Sequence, residues 1–404
     1  MSAFHALAQN EVEAAAYPSP PSESRPRSGK ETARLAMLRA AGVFYRKRSQ
    51  AIAPRSLLLM RPDHLGDVLL MTPALHALRI ALPDTRITAL VGPWSADVLR
   101  DNPDVNAIET CKFPGFARSH RWTSLSPYRQ LGEMAGRLRV ARYDAALILR
   151  FDHWWGAWLA AAAGIPRRVG YNWPETKPFL TEAIPYRAGR HEVEQNGTLL
   201  EALAPGMNSV LGPTRFQVTE TDREWVDQRL ATVGIDRDAR VIAIHPGAGA
   251  PVKQWPIAAW AEVAEHLTTD RQIRIVLTGG YSERELTAGI NARLTHPALD
   301  LARQTTLGQL AALYARAELV LGSDSGPLHL AVAVGAPTIH LYGPIPPAKF
   351  GPWGDPARNI VLQTNWPCAP CDRLYWPPSV LPQHACMGAI TPVDVLCAAN
   401  ALLR

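Results

Sequence analysis

Residues 319–344 read LVLGSDSGPLHLAVAVGAPTIHLYGP: an apolar run, a polar turn and then two further apolar runs. The outer runs have the length and composition of buried strands, and the middle run has those of a buried helix. Pro327 suits the first helical position, where its missing N–H costs nothing. The stretch therefore predicts a strand–helix–strand unit of a parallel sheet, with Asp324, Ser325 and His329 at the N-terminus of the helix.

The same alternation of strand and helix occurs twice along the chain. It begins with "RSLLLMR" at residue 55, breaks over residues 205–240 and begins again with "RVIAIHPG". Near-continuous apolar strands separated by helices are typical of α/β folds with a parallel sheet. We therefore expect two doubly wound, Rossmann-like domains, 51–215 and 216–390, facing across a cleft.

The two ends of the chain lie outside this alternation. Residues 1–50 begin with a Ser- and Pro-rich stretch that predicts a disordered tail. A basic helix, "ETARLAMLRAAGVFYRKR", follows, and its apolar spacing favours docking on the first domain. Its basic end leaves a membrane-surface helix as the alternative. Residues 391–404 predict a C-terminal helix, which we expect to pack back toward the N-terminal domain.

Composition narrows the class of protein. Hydrophobic residues make up 47% of the 404 residues and charged residues 19%, as in soluble globular proteins. No apolar run reaches the roughly 18 residues that a membrane-spanning helix needs. Five cysteines and the lack of a secretory signal predict a cytoplasmic protein. The net charge of +6 suits acidic partners such as phosphates or an anionic membrane surface, and no nucleic-acid-binding motif is present.

The polar turn of residues 319–344 is a candidate ligand site, because ligands of open parallel sheets bind where strands end and helices begin. We expect the backbone amides of Ser325, Gly326, Leu328 and His329 to point out of the helix end and to form an anion site. Asp324, just before them, can accept hydrogen bonds from sugar hydroxyls.

Two more turns of the second domain carry suitable residues. In "HPGAGAPVKQWP", small residues leave amides exposed and Lys253 can neutralise a phosphate, with a solvated surface lysine as the alternative. In "LTGGYSERE", Gly279 precedes Glu283 and Glu285, either of which can hold ribose hydroxyls. For these glutamates the alternative is a favourable interaction with a helix dipole. Together the three turns predict a bound nucleoside diphosphate.

The first domain offers one turn of this kind, "RPDHLGDVLLMTPAL". Gly66 permits close backbone approach, and Asp67 lies on the first helical turn, where helix capping is the alternative to a chemical role. Pro73 predicts a kink in this helix. One half that binds a donor and another that supplies a base match the layout of GT-B glycosyltransferases.

These motifs resemble those of glycosyltransferase family 9, the ADP-heptose:lipopolysaccharide heptosyltransferases. The resemblance runs from about residue 55 to 400 and also includes "TTLGQLAALYARAELVLGSD" and "CAPC" before Cys386. It implies inverting transfer of heptose from ADP-heptose to a lipopolysaccharide core or similar glycan, with no required cofactor or metal. The implied partners are the nucleotide sugar, a lipid-linked acceptor and the inner face of the inner membrane. The chain departs from the family at Arg303, where members often have glycine.

The resemblance also assigns roles to residues. Asp67 corresponds to the catalytic base, and Lys253 to the contact with the diphosphate and donor sugar. The donor-binding set is Gly66, Lys253, Gly279, Glu283, Glu285, Asp324, Ser325, Gly326 and His329. In the first domain, basic loops predict acceptor binding by Arg118, Arg121, Arg129 and Arg168, with solvated loops as the alternative.

Other functions remain open at this point. The chain can instead use another nucleotide sugar or an acceptor other than lipopolysaccharide, or bind nucleotide sugars without catalysis. A dehydrogenase is disfavoured because no G-x-G-x-x-G follows a strand. A zinc site of Cys368, Cys371 and Cys386 is the alternative to free thiols in a packed loop.

Overall fold

The structure, a computed structural model, describes residues 28–45, 53–117, 125–206, 211–269 and 272–403. The predicted tail of residues 1–27, the basic residues 46–48 and the candidate acceptor residues Arg118 and Arg121 lie outside the described residues.

Helices and strands alternate along most of the described chain. The strands are β1 Ser56–Arg61, β2 Arg86–Val91, β3 Ala107–Thr110, β4 Ala145–Ile148, β5 Arg167–Tyr171, β6 Glu182–Ile184, β7 Arg240–His245, β8 Ile273–Leu277, β9 Leu299–Asp300, β10 Leu319–Ser323, β11 Thr338–Tyr342 and β12 Asn359–Gln363. The α-helices are α1 Gly29–Val43, α2 Leu65–Leu69, α3 Thr72–Ala81, α4 Ser126–Ala141, α5 Trp154–Ala162, α6 Glu192–Leu200, α7 Glu220–Ala231, α8 Ile257–Leu267, α9 Arg284–Asn291, α10 Leu307–Arg316, α11 Gly326–Ala333, α12 Pro347–Phe350 and α13 Pro392–Leu402.

The chain forms two compact units. The first comprises Met1–His64 and Met71–Gly212, and the second comprises Leu65–Leu70 and Pro213–Arg404. Each unit contains one six-stranded sheet, so the predicted two-domain α/β fold is confirmed. The helix α2 belongs by its contacts to the second unit. It is separate from α3 because Pro73 lies at the start of α3, where the expected kink is a complete break.

The two sheets have the same topology. The first has the order β3-β2-β1-β4-β5-β6, and the second, read from its far edge, has the order β9-β8-β7-β10-β11-β12. All pairings are parallel. This is the 3-2-1-4-5-6 order of doubly wound folds, in which ligands bind where the strand order reverses. The reversal points lie between β1 and β4 and between β7 and β10.

Each unit has its own apolar core. In the first, strand residues such as Leu58 and Ile148 pack with Trp155 of α5. In the second, Trp255 and Trp260 meet edge to face with ring centroids 4.8 Å apart, beside strand residues such as Ile244. The Nε1–H of Trp255 donates to the carbonyl of Ile390, so this buried indole is satisfied.

Helix α1 packs on the first unit. Ser28 and Glu31 form a capping box at its start. Leu35 and Leu38 are buried, and Gly42 approaches Pro178 so closely that a Cβ would clash. The docked orientation favoured by the apolar spacing is therefore the one observed.

Helix α13 packs on the second unit. Its buried residues Val395, Ala398 and Ala399 belong to the second core, which corrects the expectation that it packs back toward the N-terminal domain. The apolar spacing of this helix matches the groove beside α8 and β11 of its own unit. One stretch, Leu381–Leu402, has the length and composition of a membrane span. In the structure it consists of two short 3-10 segments followed by α13.

Candidate active site

The N-terminus of α11 lies at the end of the buried strand β10. Two of the four amides expected to face outward do not, because those of Leu328 and His329 donate to the carbonyl of Ser325. Within the described part of the chain, the amides of Ser325 and Gly326 have no such acceptor. The Ser325 Oγ is buried and also has no hydrogen-bond partner among the described residues. Three polar groups at this helix end therefore have no hydrogen-bond partner within the described chain.

Lys253 and Asp324 form an ion pair beside this helix end. The Lys253 Nζ lies 2.7 Å from the Asp324 Oδ2, and the two side chains are only 12% and 9% exposed. Burial together with the Asp324 carboxylate raises the pKa of the neighbouring Tyr342. The loops after β7 and β10, which carry the pair, thus meet at the reversal point of the second sheet.

The turn at Gly66 packs against the same helix end. A Cβ on Gly66 would lie 3.0 Å from the His329 Cδ2 and 3.3 Å from the Gly326 Cα. A Cβ on Gly326 would lie 3.2 Å from the Gly66 N. Only glycines permit this approach without displacement. Asp67, half-buried in the first turn of α2, is therefore held next to the N-terminus of α11.

Glu283 and Glu285 occupy different surroundings. The Glu283 side chain lies over Gly247, in the loop after β7, and its carboxylate accepts from the Gly280 amide at 2.6 Å. Glu285 is exposed on α9. Gly279 lies against the Glu283 side chain, with 2.8 Å between its Cβ position and the Glu283 Cβ. The structure thus brings Glu283 and Gly279 to the carboxyl ends of β7 and β8, and leaves Glu285 outside this group.

A buried polar cluster supports these strand ends. The His245 Nδ1 lies 3.0 Å from the Thr278 hydroxyl, which lies 3.0 Å from the Tyr314 hydroxyl. Burial lowers the pKa of His245 to about 4, so the imidazole is neutral at pH 7. A neutral imidazole hydrogen-bonded in this way fixes the end of β7.

The first unit contains a charge network that the sequence reasoning missed. The Arg61 Nε lies 2.7 Å from the Asp63 Oδ2, and the Arg61 Nη1 lies 2.5 Å from the Glu192 Oε1 and 3.2 Å from the Asn196 Oδ1. Arg150 pairs with Asp63 and, at 2.6 Å, with Asp152. The sequence does contain a signal for this network, because the pattern Arg-x-Asp occurs both at the end of β1 and just after β4.

Burial and charge act in opposite directions on this network. Burial alone would raise the pKa of Asp63, but attraction by Arg61 and Arg150 holds that pKa below its ordinary value. His153 is buried against the rings of Phe113 and Phe116, and burial lowers its pKa to about 3. Neither His153 nitrogen has a hydrogen-bond partner among the described residues.

The predicted acceptor residues are not alike. Arg129 is exposed on α4, with its Nε 3.5 Å from the Glu133 Oε1. Arg168 is buried, and its guanidinium donates to the carbonyls of Phe179 at 2.6 Å and Ile165 at 2.5 Å. The expectation that Arg168 binds an acceptor is therefore corrected, because its donors are used within the fold.

The cysteines do not form the metal site considered as an alternative. Cys368 and Cys371 are exposed free thiols and Cys386 is buried. Burial raises the pKa of Cys386, and nearby Cys371 adds to that effect. Across the described residues, no three His, Cys, Asp or Glu side chains are grouped so as to hold a metal ion.

The comparisons with known proteins agree with the sequence motifs. Lipopolysaccharide heptosyltransferase 2 of Escherichia coli is 27% identical over 359 residues, which are 86% of this chain and 98% of that protein. A glycosyltransferase family 9 structure from Veillonella parvula has a TM-score of 0.74 at 23% identity and covers 89% of this chain and 99% of its own. The E. coli ADP-heptose lipopolysaccharide heptosyltransferase II structure has a TM-score of 0.68 at 24% identity, covering 86% and 98%.

The sequence signature of Glycosyltransferase family 9 (heptosyltransferase) matches residues 132–374, more than half of the chain. The resemblance drawn from the motifs is thereby confirmed: this chain is a glycosyltransferase and belongs to glycosyltransferase family 9.

Proposed function

We propose that the protein transfers heptose from ADP-heptose to a lipopolysaccharide core acceptor. The names of its relatives supply the donor and acceptor classes. The observation that carries the proposal is the Lys253–Asp324 pair at the N-terminus of α11, against which the Gly66–Asp67 turn is packed. This arrangement combines an anion site, a cation, a sugar-binding carboxylate and a second carboxylate within one compact unit.

In the proposed complex, the donor diphosphate binds to the amides of Ser325 and Gly326 and to Lys253. Lys253 then shares its charge between the phosphate and Asp324, and Asp324 also accepts from hydroxyls of the donor sugar. Glu283 binds the ribose hydroxyls, since it lies over Gly247 whereas Glu285 is directed elsewhere on α9.

In the proposed reaction, Asp67 accepts the proton of an acceptor hydroxyl as that oxygen attacks the anomeric carbon. The carbon–oxygen bond to the diphosphate breaks, and ADP leaves with the electron pair. Attack from the face opposite the leaving group inverts the anomeric configuration. Lys253 and the end of α11 stabilise the negative charge that develops on ADP, so we propose that no metal is required.

The acceptor side of the proposal concerns a lipid-linked glycan at the cytoplasmic face of the inner membrane. Val43 and Phe44, at the end of α1, are 83% and 84% exposed, which suits shallow contact with a lipid surface. Arg129 is an exposed cation for an acceptor phosphate. Sedimentation with anionic vesicles, decreasing as salt rises, would support this location, and no sedimentation at low salt would contradict it.

The decisive experiment compares the parent protein with Asp67→Asn. ADP-heptose and a lipopolysaccharide core acceptor are supplied, and product is measured by mass spectrometry and its anomeric configuration by NMR. We expect Asp67→Asn to lose about 10²–10⁴-fold in kcat, the usual size of positioned acid–base catalysis, with ADP affinity retained. The matched control is Asp97→Asn, which alters an exposed acid of another short helix.

Two further measurements, of product configuration and of activity with a chelator, complete this experiment. Inverted product and full activity in the presence of a chelator are expected. Retained configuration, loss of activity with the chelator, or normal turnover by Asp67→Asn would each contradict the corresponding part of the mechanism. A panel of other nucleotide sugars and a dephosphorylated acceptor tests the two substrate assignments.

A further inference from the structure

Arg303 adopts a backbone conformation that its side chain does not favour. It lies between β9 and α10 with φ of 65°, in the left-handed region. For a residue with a Cβ this conformation costs about 1 kcal/mol or more. Its amide donates to the carbonyl of Gly279 at 2.8 Å, which ties the loop after β9 to the loop after β8. The hydrogen bond to Gly279 fixes this strained backbone, so it also fixes the position from which the Arg303 side chain extends.

The Arg303 guanidinium stacks on an exposed tyrosine. It lies 3.9 Å from the centroid of the Tyr281 ring, well within the range of a cation–π contact. Tyr281 as a whole is nevertheless 77% exposed, so the contact leaves most of the residue's surface in water. No packing role in the core accounts for an aromatic ring in this position. Tyr281 and Arg303, named here the Tyr281–Arg303 platform, form a two-layer stack of exposed residues.

The platform lies on the edge of the sheet where the proposed donor site ends. Tyr281 and Glu283 share one short 3-10 helix after β8, and Glu283 reaches over Gly247 after β7. From β10 to β9 the sheet order is β10-β7-β8-β9, three strand spacings or about 14 Å. An extended nucleotide with its diphosphate at α11 and its ribose at Glu283 would have its base beside the platform.

We propose that the Tyr281–Arg303 platform stacks against the adenine base of the donor. This inference rests on the proposed function, because it places the base from the proposed diphosphate and ribose sites. A phenol ring and a planar guanidinium both present faces on which a nucleobase stacks. A purine covers more of such a surface than a pyrimidine does, so the platform favours ADP over UDP.

The test measures binding of ADP, UDP and inorganic pyrophosphate to the full chain by calorimetry. Tyr281→Ala is expected to weaken ADP binding by about 10- to 100-fold, the range of one base–aromatic stack. Arg303→Gly should weaken it by about 5- to 10-fold, while its thermal midpoint stays equal or rises because glycine tolerates the left-handed conformation. Pyrophosphate affinity should be unchanged in both, and the preference for ADP over UDP should shrink.

Two controls separate stacking from other effects. Tyr281→Phe keeps the ring and should keep ADP affinity, whereas Arg284→Ala removes a neighbouring exposed positive charge and should have little effect. Unchanged ADP affinity in Tyr281→Ala and Arg303→Gly, or an equal loss of pyrophosphate affinity, would overturn the inference and leave the proposed function standing. If the parent binds neither ADP nor pyrophosphate, the proposed function fails and the inference with it.

Discussion

The reversal points of the two sheets have the same strand order but carry different charged residues. Between β1 and β4, the first unit has two arginines whose charges are paired inside the protein with Asp63, Asp152 and Glu192. Between β7 and β10, the second unit has one ion pair, small residues and the end of α11. Identical strand order therefore does not dictate which reversal point binds a ligand.

The two points differ in how their charged groups and backbone amides are paired. Arg61 is fully buried, and its guanidinium donates to the Leu149 carbonyl and to the side chains of Glu192 and Asn196. The backbone of Asp63 is held as well, because its carbonyl accepts from the Trp94 indole at 2.9 Å. In the second unit, the Ser325 Oγ and two amides remain unsatisfied within the described chain. The first network fixes the backbone four residues before Asp67, while the second point has polar groups, unpaired among the described residues, at the proposed donor site.

The largest expected effect follows from breaking the charge network at the reversal point of the first unit. Arg61→Met keeps the apolar stem but removes the buried cation that pairs with both Asp63 and Glu192, and Asp63 keeps only Arg150 as a paired cation, so we expect a loss of about 3–5 kcal/mol in the free energy of unfolding. Lys253→Met should cost less, about 1.5–3 kcal/mol, because this pair keeps some exposure, and it should weaken ADP binding at least tenfold, since it removes a charge-assisted phosphate contact. Urea unfolding and calorimetry measure the two quantities.

The matched control for both variants is Arg129→Met, which removes an exposed cation with an exposed partner. We expect it to change the free energy of unfolding by less than about 0.5 kcal/mol. Equal and small destabilisation by Arg61→Met and Lys253→Met would show that the charges at the two reversal points contribute equally little to the free energy of unfolding.

The next effect is on the pH dependence of stability, to which buried histidines of both units contribute, among them His340 of β11, whose pKa burial also lowers. Burial lowers the pKa of His153 to about 3 and that of His245 to about 4. The unfolded imidazoles bind protons below about pH 6.5, where the folded ones do not, so stability falls as pH decreases from 6.5 toward these values. Each contributes about 2 kcal/mol of loss at pH 5. Asp63, whose pKa is also lowered, adds a further loss only below about pH 4.

Thermal midpoints at pH 7 and pH 5 check this prediction. His153→Phe and His245→Gln should each reduce the difference between the two midpoints, while the exposed His266→Gln should leave it unchanged. A parent protein that is equally stable at both pH values would contradict the burial argument for both histidines.

The sequence motifs named residues that the structure brings together at the second reversal point, but they missed the network at the first, for a physical reason. Gly279, Gly326 and Pro327 act through local backbone geometry, which short motifs encode. The partners of Arg61 are Asp63, Glu192 and Asn196, and the last two come from a helix more than a hundred residues away. Similarly, the sequence around Arg168 gave no sign that its guanidinium is buried and donates to backbone carbonyls. Pairings of this kind depend on tertiary contacts that no local pattern contains.

The smallest expected effect sharpens the description of the second reversal point, where the sequence left Glu283 and Glu285 equivalent. Glu283 reaches over Gly247 and accepts from the Gly280 amide, whereas Glu285 is exposed on α9. A charged acceptor for ribose hydroxyls contributes roughly 1.5 kcal/mol. Glu283→Gln should therefore weaken ADP binding about tenfold, and Glu285→Gln, the same change two residues away, should leave it unaltered. Calorimetry with ADP and with pyrophosphate separates a ribose contact from a general disturbance, because pyrophosphate has no ribose to lose. If Glu285→Gln weakens ADP binding and Glu283→Gln does not, then the nucleotide follows α9 rather than the loop at Gly247.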